Sequence, residues 1–473
     1  MIEHSRYYAD GSFCSANGGV MPPFVSPVDG RLLGRVTACS ADDVEAAVAS
    51  AHRAFPVWAA SSLDQRRDVL KRLRTELESR APTIVQSLAA EIGCPVWLGR
   101  LMQVPMPLKG LELALEGLDH IPWQETIGNG LVERVPAGVV AAITPWNFPL
   151  HQMVAKVAAA IGAGCTIVVK PSEITPGAAQ QLFEALDACG LPPGVVNLVW
   201  GGPDVGQQLV SHPKVRRVSF TGSTAVGRRI MAAAAEGLKP VTLELGGKSA
   251  AVILDDADLD AAIPAVVRMS MANSGQACVS QSRLIVPARL ASRVVEHFAE
   301  ALTAWPLGNP ADEATRLGPV ATAAQHRHVV GMIERAITDG AKLLLGGSAP
   351  PAGLEPGCYV QPTLFGDVRP DMEIAQQEVF GPVVSLLTYD TDDQAAELAN
   401  ATAYGLSGAV WSDDAQRATI FARRLATGQV VINGAAQNLA TPFGGWGDSG
   451  FGHENGRFGI EDLLQYRALH GAV

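Results

Sequence analysis

Between Gly138 and Leu245 five short apolar segments alternate with helical ones, and no other feature narrows the possible folds of this chain as much. The segments 139–143, 166–169, 195–199, 215–221 and 241–245 are rich in valine and other β-branched residues. Runs of this kind, apolar without strict alternation, are typical of parallel strands covered on both faces. The stretches between them, around 154–161, 178–186, 205–210 and 226–235, repeat their apolar residues at helical spacing. The pattern predicts a doubly wound α/β sheet with a ligand at the strand carboxyl ends, a nucleotide being the first guess.

A second alternation begins near Ala250 and continues through 283–286, 342–345, 383–389 and 429–433, which predicts a second α/β domain. Ahead of both, turns at Asp10-Gly11 and Asp29-Gly30 read as hairpin material, with strand character at 31–36. Packing helices follow: one opened by Ser40, one by the capping-box pair Ser62 and Gln65, and one carrying Ile84, Leu88 and Ile92 that stops at Gly93 and Pro95. The segment 123–135 folds about Gly128-Asn129-Gly130 as a second hairpin, and 349–353 reads as an internal loop.

At 473 residues and 48% hydrophobic side chains the chain can bury two or three domain cores. Its net charge of -11 is dispersed and no basic run is present, which argues against nucleic acid as a partner. The first 25 residues contain no continuous apolar segment, so no secretory signal is expected. The longest apolar run, 157–169, ends at Lys170 and is shorter than the roughly 20 residues that span a bilayer. Seven cysteines without a Cys-x-x-Cys pair suit reduced thiols in a cytoplasm and offer no metal site.

Four stretches carry chemistry. Asn273-Ser274-Gly275-Gln276-Ala277-Cys278, with Glu244-Leu245-Gly246-Gly247-Lys248 upstream, offers a thiol and a carboxylate beside glycines, the parts of a nucleophile and its base. Read alone, Cys278 is equally a small buried hydrophobe. Phe220-Thr221-Gly222-Ser223-Thr224-Ala225-Val226-Gly227 ends a strand and opens a helix, where free N–H groups favour an anion, although the spacing matches neither common phosphate-binding fingerprint. Lys170-Pro171-Ser172-Glu173 follows another strand; a carboxylate there suits ribose hydroxyls and repels a 2'-phosphate, favouring NAD while leaving NADP possible, and a solvated turn is the plain alternative. In Pro145-Trp146-Asn147-Phe148-Pro149 the Asn147 amide is either a fixed donor for an oxyanion or a cap for the next helix.

These stretches, together with Glu378-Val379-Phe380-Gly381-Pro382, stand in an order and spacing that resembles the aldehyde dehydrogenase superfamily over nearly the whole chain. The resemblance implies two doubly wound α/β domains, for cofactor and catalysis, plus a small β bridging arm. It divides the chain into a cofactor domain of 1–118 and 138–246, a catalytic domain of 247–440 and an arm of 119–137 and 455–473. It implies Cys278 as the nucleophile that forms a thiohemiacetal and then a thioester, Asn147 with the Cys278 N–H as oxyanion donors, and Glu244 as base for the releasing water. Cofactor contacts are implied for Thr144, Pro145, Trp146, Lys170, Ser172, Glu173, Gly206, Phe220, Gly222, Ser223, Val226, Gly227, Leu245, Gly246, Glu378 and Phe380.

Acylating relatives, which pass the thioester to coenzyme A, typically lack a carboxylate where Glu244 stands, so hydrolysis to a free acid is the better reading. A cofactor-binding pseudoenzyme is the alternative from another class, and the joint retention of Cys278, Glu244 and Asn147 speaks against it. The loop 433–438 resembles the family's substrate mouth and contains no arginine, which favours an uncharged or longer aldehyde. Many relatives carry lysine where Gly447 stands. The arm, with strand 464–469, implies a homodimer or homotetramer.

Overall fold

The computed structural model describes residues 1–471. Its first sheet contains five parallel strands side by side: Val196–Leu198, Thr166–Lys170, Val139–Ile143, Val215–Thr221 and Val241–Glu244. Successive strands build outward from Val139–Ile143 on one side, and the fourth returns to its other side. At that reversal the connections leave in opposite directions and open a crevice over the carboxyl ends. The N-terminal hairpin Arg6–Ala9 and Ser12–Ser15 extends one edge antiparallel, and Gly450–Phe451 closes the other. Every residue of Val139–Ile143 and Thr166–Lys170 is buried, which explains why these segments lack alternation.

The second sheet runs Lys342–Leu345, Thr363–Gly366, Val383–Tyr389, Arg283–Pro287, Ala250–Ile253, Ser407–Trp411 and Gln429–Ile432, parallel throughout except for the first strand. Strand pleating sends alternate residues to opposite faces. Val252, Ile285, Phe365, Leu387 and Val410 enter one core, while Ile253, Leu284, Leu364, Leu386 and Ala409 enter the other. Sequence periodicity did not reveal Thr363–Gly366, which is only four residues long, or Ser407–Trp411, which opens on Ser-Gly-Ala.

The N-terminal helices form as their caps dictate. Ser40 and Asp43 make a reciprocal capping box for Ala41–Ala59, Ser62 and Gln65 do the same for Leu63–Ser79, and Gly93 ends Ala81–Ile92 at φ 69°. A separate three-stranded sheet joins Gln124–Ile127, Gly130–Pro136 and Leu464–His470, with Leu464 opposite Pro136 and His470 opposite Gly130.

Candidate active site

The carboxyl ends of the first sheet face segments that lead into strands of the second. Cys278 precedes Arg283–Pro287, Glu378 and Phe380 precede Val383–Tyr389, and Tyr404 precedes Ser407–Trp411. Strand carboxyl ends thus supply one wall of the cleft, as the sequence predicts, and strand amino ends supply the other, which it does not. The cavity of ≈ 720 Å³ is lined by Pro145, Trp146, Asn147, Gly222, Ser223, Leu245, Gly246, Cys278, Glu378 and Phe380 among others. Widely separated stretches of chain therefore meet at a single thiol.

The turn before Cys278 is conformationally expensive. Asn273, Ser274 and Gly275 hold φ of 54°, 54° and 72°, a left-handed run that two non-glycine residues resist. Hydrogen bonds fix it: Ser274 Oγ donates to the Gly318 carbonyl at 2.7 Å, Gln276 Nε2 to the Asn273 carbonyl at 2.9 Å, and the Ala321 N–H to Gln276 Oε1 at 2.8 Å. Asn147 joins the same network. Its Nδ2 donates to the Gln276 carbonyl at 3.1 Å, and its own carbonyl accepts from Gln103 Nε2 at 2.8 Å and Asn273 Nδ2 at 3.0 Å. Helix Pro149–Ala163 has no side-chain cap, so the capping alternative for Asn147 is overturned. The amide ties the Cys278 loop and keeps a second N–H.

Burial pushes the Cys278 thiol well above its ordinary range, and the Glu378 and Glu244 carboxylates add to the rise, while the backbone N–H groups of Cys278 and Val279 oppose it. The resting group is a thiol that needs a base. Glu244, at the end of Val241–Glu244, is buried, and neither carboxylate oxygen has a hydrogen-bond partner. It lies behind the cleft beside Gly444, where a Cβ added to that glycine would come within 3.4 Å of Oε1. Its pKa is raised well above the usual carboxylate range by burial first, then by Glu454, with Lys156 opposing and Asp462 adding. Lys156 and Glu454 form a buried ion pair there that sequence reasoning missed. The available signal was Lys156 itself, the single lysine or acidic residue in the otherwise neutral helix Pro149–Ala163.

At the far side of the crevice, helix Thr224–Glu236 opens at Ser223 with no side-chain cap, leaving its first N–H groups free for an anion. Gly222 sits over the buried Phe220 ring, where a Cβ would meet Cζ at 2.5 Å, and Gly227 lets the helix settle on Leu245, where a Cβ would meet Cδ2 at 2.6 Å. Val226 is half-exposed on the same turn. Next along the sheet, the Thr144 N–H donates to the Lys170 carbonyl at 3.1 Å, and the buried Thr144 hydroxyl has no partner. Lys170 Nζ donates to the Pro171 carbonyl at 3.1 Å; burial lowers its pKa against the pull of Glu173 and Asp204. Gly206 packs against the Lys170 stem, and Ser172 Oγ accepts from the Ile174 N–H at 3.3 Å. Thr144, Lys170, Ser172, Glu173, Gly206, Phe220, Val226, Gly227 and Glu244 do not line the cavity itself.

Glu378 accepts from the Gly247 N–H at 3.1 Å; burial pushes it up to about 7 against that N–H and Lys248. Phe380, at φ 54°, meets Trp146 edge-on with ring centroids 5.5 Å apart. Gln325, unforeseen from sequence, holds that turn by donating Nε2 to the Phe380 carbonyl at 2.9 Å. Gly447 stands at φ 58° with the Ala403 carbonyl 2.6 Å from any added Cβ, so a lysine in this backbone would be strained and would crowd that carbonyl.

Together, an uncapped helix start, closely approached glycines and a carboxylate near the thiol suit a dinucleotide whose reactive end reaches Cys278. Comparison with known proteins gives the same direction. The family model described as the Aldehyde dehydrogenase family matches residues 15–469. A 3-succinoylsemialdehyde-pyridine dehydrogenase from a Pseudomonas species is 42% identical over 100% of this chain and 99% of its own length. Aldehyde dehydrogenase C from Pseudomonas syringae, a mutant solved with NAD+ and octanal, superposes with a TM-score of 0.97 at 39% identity, covering 99% of this chain and 96% of that one. Mycobacterium tuberculosis aldehyde dehydrogenase complexed with NAD+ gives 0.96 at 39% identity over 99% and 98%.

Proposed function

The chain belongs to the aldehyde dehydrogenase family, and we propose that it oxidises an aldehyde to the carboxylic acid with NAD+ by way of Cys278. The observation that carries this reading is the meeting of the Cys278 thiol and the Asn147 amide, one N–H unspent, in a single cleft. Bound NAD+ supplies the hydride acceptor. Cys278 Sγ bonds to the aldehyde carbon as Glu244 takes the thiol proton and passes it to solvent, and the new oxyanion takes hydrogen bonds from Asn147 Nδ2 and the Cys278 N–H. Loss of hydride from that carbon leaves a thioester. Glu244 takes a proton from water, the hydroxide attacks the acyl carbon, and the C–S bond breaks to release the acid and the thiolate. Because neither Glu244 oxygen is hydrogen-bonded, its turn toward Cys278 breaks no existing bond.

Lys170 and Glu173 would hold the adenosine ribose, Gly222 and Ser223 the pyrophosphate, and Glu378 and Phe380 the nicotinamide ribose and ring. The Glu173 carboxylate supports NAD over NADP. We read 1–118 and 138–246 as cofactor domain, 247–440 as catalytic domain, and 119–137 with 455–473 as the arm, of which 472 and 473 lie outside the described residues. Exposed Ile127, Tyr466 and Leu469 on that arm support a homodimer or homotetramer, which light scattering would measure. All seven cysteines are free, which supports a cytoplasmic protein; among the described residues no helix is long and apolar enough to cross a membrane.

The substrate we favour is an aliphatic or aromatic aldehyde with a neutral tail, because loop 433–438 has no arginine to hold a short carboxylate. The test follows NADH absorbance with octanal, benzaldehyde and succinic semialdehyde. Cys278→Ala should abolish turnover and Glu244→Gln should give at most one stoichiometric burst. Full multiple turnover in either variant overturns the mechanism, and a strong preference for succinic semialdehyde overturns the substrate class.

A further inference from the structure

Outside the cleft, a small pocket collects polar groups that the reaction does not use. It lies at the amino ends of Ala250–Ile253, Arg283–Pro287 and Ser407–Trp411 and has a volume of ≈ 20 Å³. That is room for one water-sized body. Lys248, Ser249 and Thr427 line it, and Lys248 Nζ, Ser249 Oγ and Thr427 Oγ1 are buried atoms without any hydrogen-bond partner. Lys248 and Ser249 are only 2% and 3% exposed.

The polar balance of the pocket is one-sided. An ammonium offers three donors and no acceptor, and each hydroxyl offers one more donor. Beside these donors the guanidinium of Arg283 donates to the carbonyls of Lys248, Leu398 and Ala399, each at 2.7 Å. Arg283 thereby adds a second positive charge beside the pocket, and Nη1 and Nη2 each keep one further N–H. A water accepts from only two of these donors. A spherical anion accepts from every direction at once and offsets the charge.

We propose that this pocket binds a single halide-sized monovalent anion, held by Lys248 Nζ, Ser249 Oγ and Thr427 Oγ1. Asn400, exposed on the turn after Asp392–Ala399, lines the outer side of the pocket and gives the ion its route. Burial and Arg283 push the Lys248 amine down to about 7, and a bound anion would favour its charged form, which faces Glu378.

Crystals of the full chain grown in sodium bromide should show an anomalous bromine peak inside the pocket. In solution, Tm measured in bromide against gluconate at fixed ionic strength should rise with bromide concentration in the wild type. Lys248→Met should lose that rise. Thr427→Val, a milder change, should move its midpoint about tenfold to higher bromide, the cost of one hydrogen bond to a charged group. A water with no anomalous signal in the pocket, or a bromide response equal in wild type and Thr427→Val, overturns the proposal.

Discussion

Replacing Asn147 by alanine separates the tie that the structure shows from the oxyanion role proposed for the same amide. Nδ2 has two hydrogens; one is donated to the Gln276 carbonyl at 3.1 Å, and the other is free for the oxyanion proposed to form when Cys278 attacks the aldehyde. Losing a preorganised oxyanion donor typically costs about 10²–10³ in rate, or about 2.7–4 kcal/mol. Losing the tie to Gln276 is a neutral buried hydrogen bond, about 1 kcal/mol of stability, partly covered by Asn273 Nδ2, which also reaches that carbonyl at 3.3 Å. The expectation is therefore a Tm lowered by a few degrees and an acylation rate lowered by at least about a hundredfold. Stopped-flow NADH bursts at saturating aldehyde and NAD+ read the second quantity, and thermal melts read the first. Asn147→Asp, nearly isosteric, should be slower still, since a carboxylate repels both the oxyanion and the Gln276 carbonyl. If Asn147→Ala melts lower but its burst rate stays within about tenfold of wild type, the amide is a structural tie and the oxyanion role is refuted.

Two further perturbations test the buried charges. Glu91 accepts from the Gly177 N–H at 3.1 Å, and burial pushes it up to about 8 against that bond. A carboxyl whose folded pKa exceeds its unfolded value near 4.3 keeps a proton that the unfolded chain releases, so its share of stability declines as pH rises from about 4.3 to 8. Glu91→Gln, which retains an acceptor for Gly177, should flatten the fall in Tm across that window relative to wild type; parallel Tm curves would contradict the burial argument. Lys156→Met leaves Glu454 buried without its cation and should cost about 3 kcal/mol or more by urea unfolding. Adding Glu454→Gln to it should recover part of the loss, and strict additivity in that double-mutant cycle would deny the pair any coupling.

The reading of the chain as two parallel α/β sheets rested on strands such as Val139–Ile143 and Thr166–Lys170, whose complete burial is written directly into their composition. Capping residues were equally legible, because Ser62 and Gln65 act within one turn of each other. Short or glycine-rich strands were not, since Ser407–Trp411 owes its place to the neighbours Ala250–Ile253 and Gln429–Ile432 and not to its own pattern. The proposed nucleophile, base and amide could be picked out by kind and order. What they do to one another depends on distances across the sheets.

That division has a physical cause. Local sequence carries periodicity, caps and turn chemistry, all interactions between residues a few positions apart. Tertiary structure alone decides that strand amino ends of the second sheet oppose carboxyl ends of the first, bringing Cys278 to Asn147. It alone turns Asn147 onto Gln276 and not onto a helix start. It sets Lys156 against Glu454 behind Glu244, and it encloses Lys248 with Ser249 and Thr427. In each case a buried polar group must find its partner through space, and the low dielectric around it makes that partner's identity decisive.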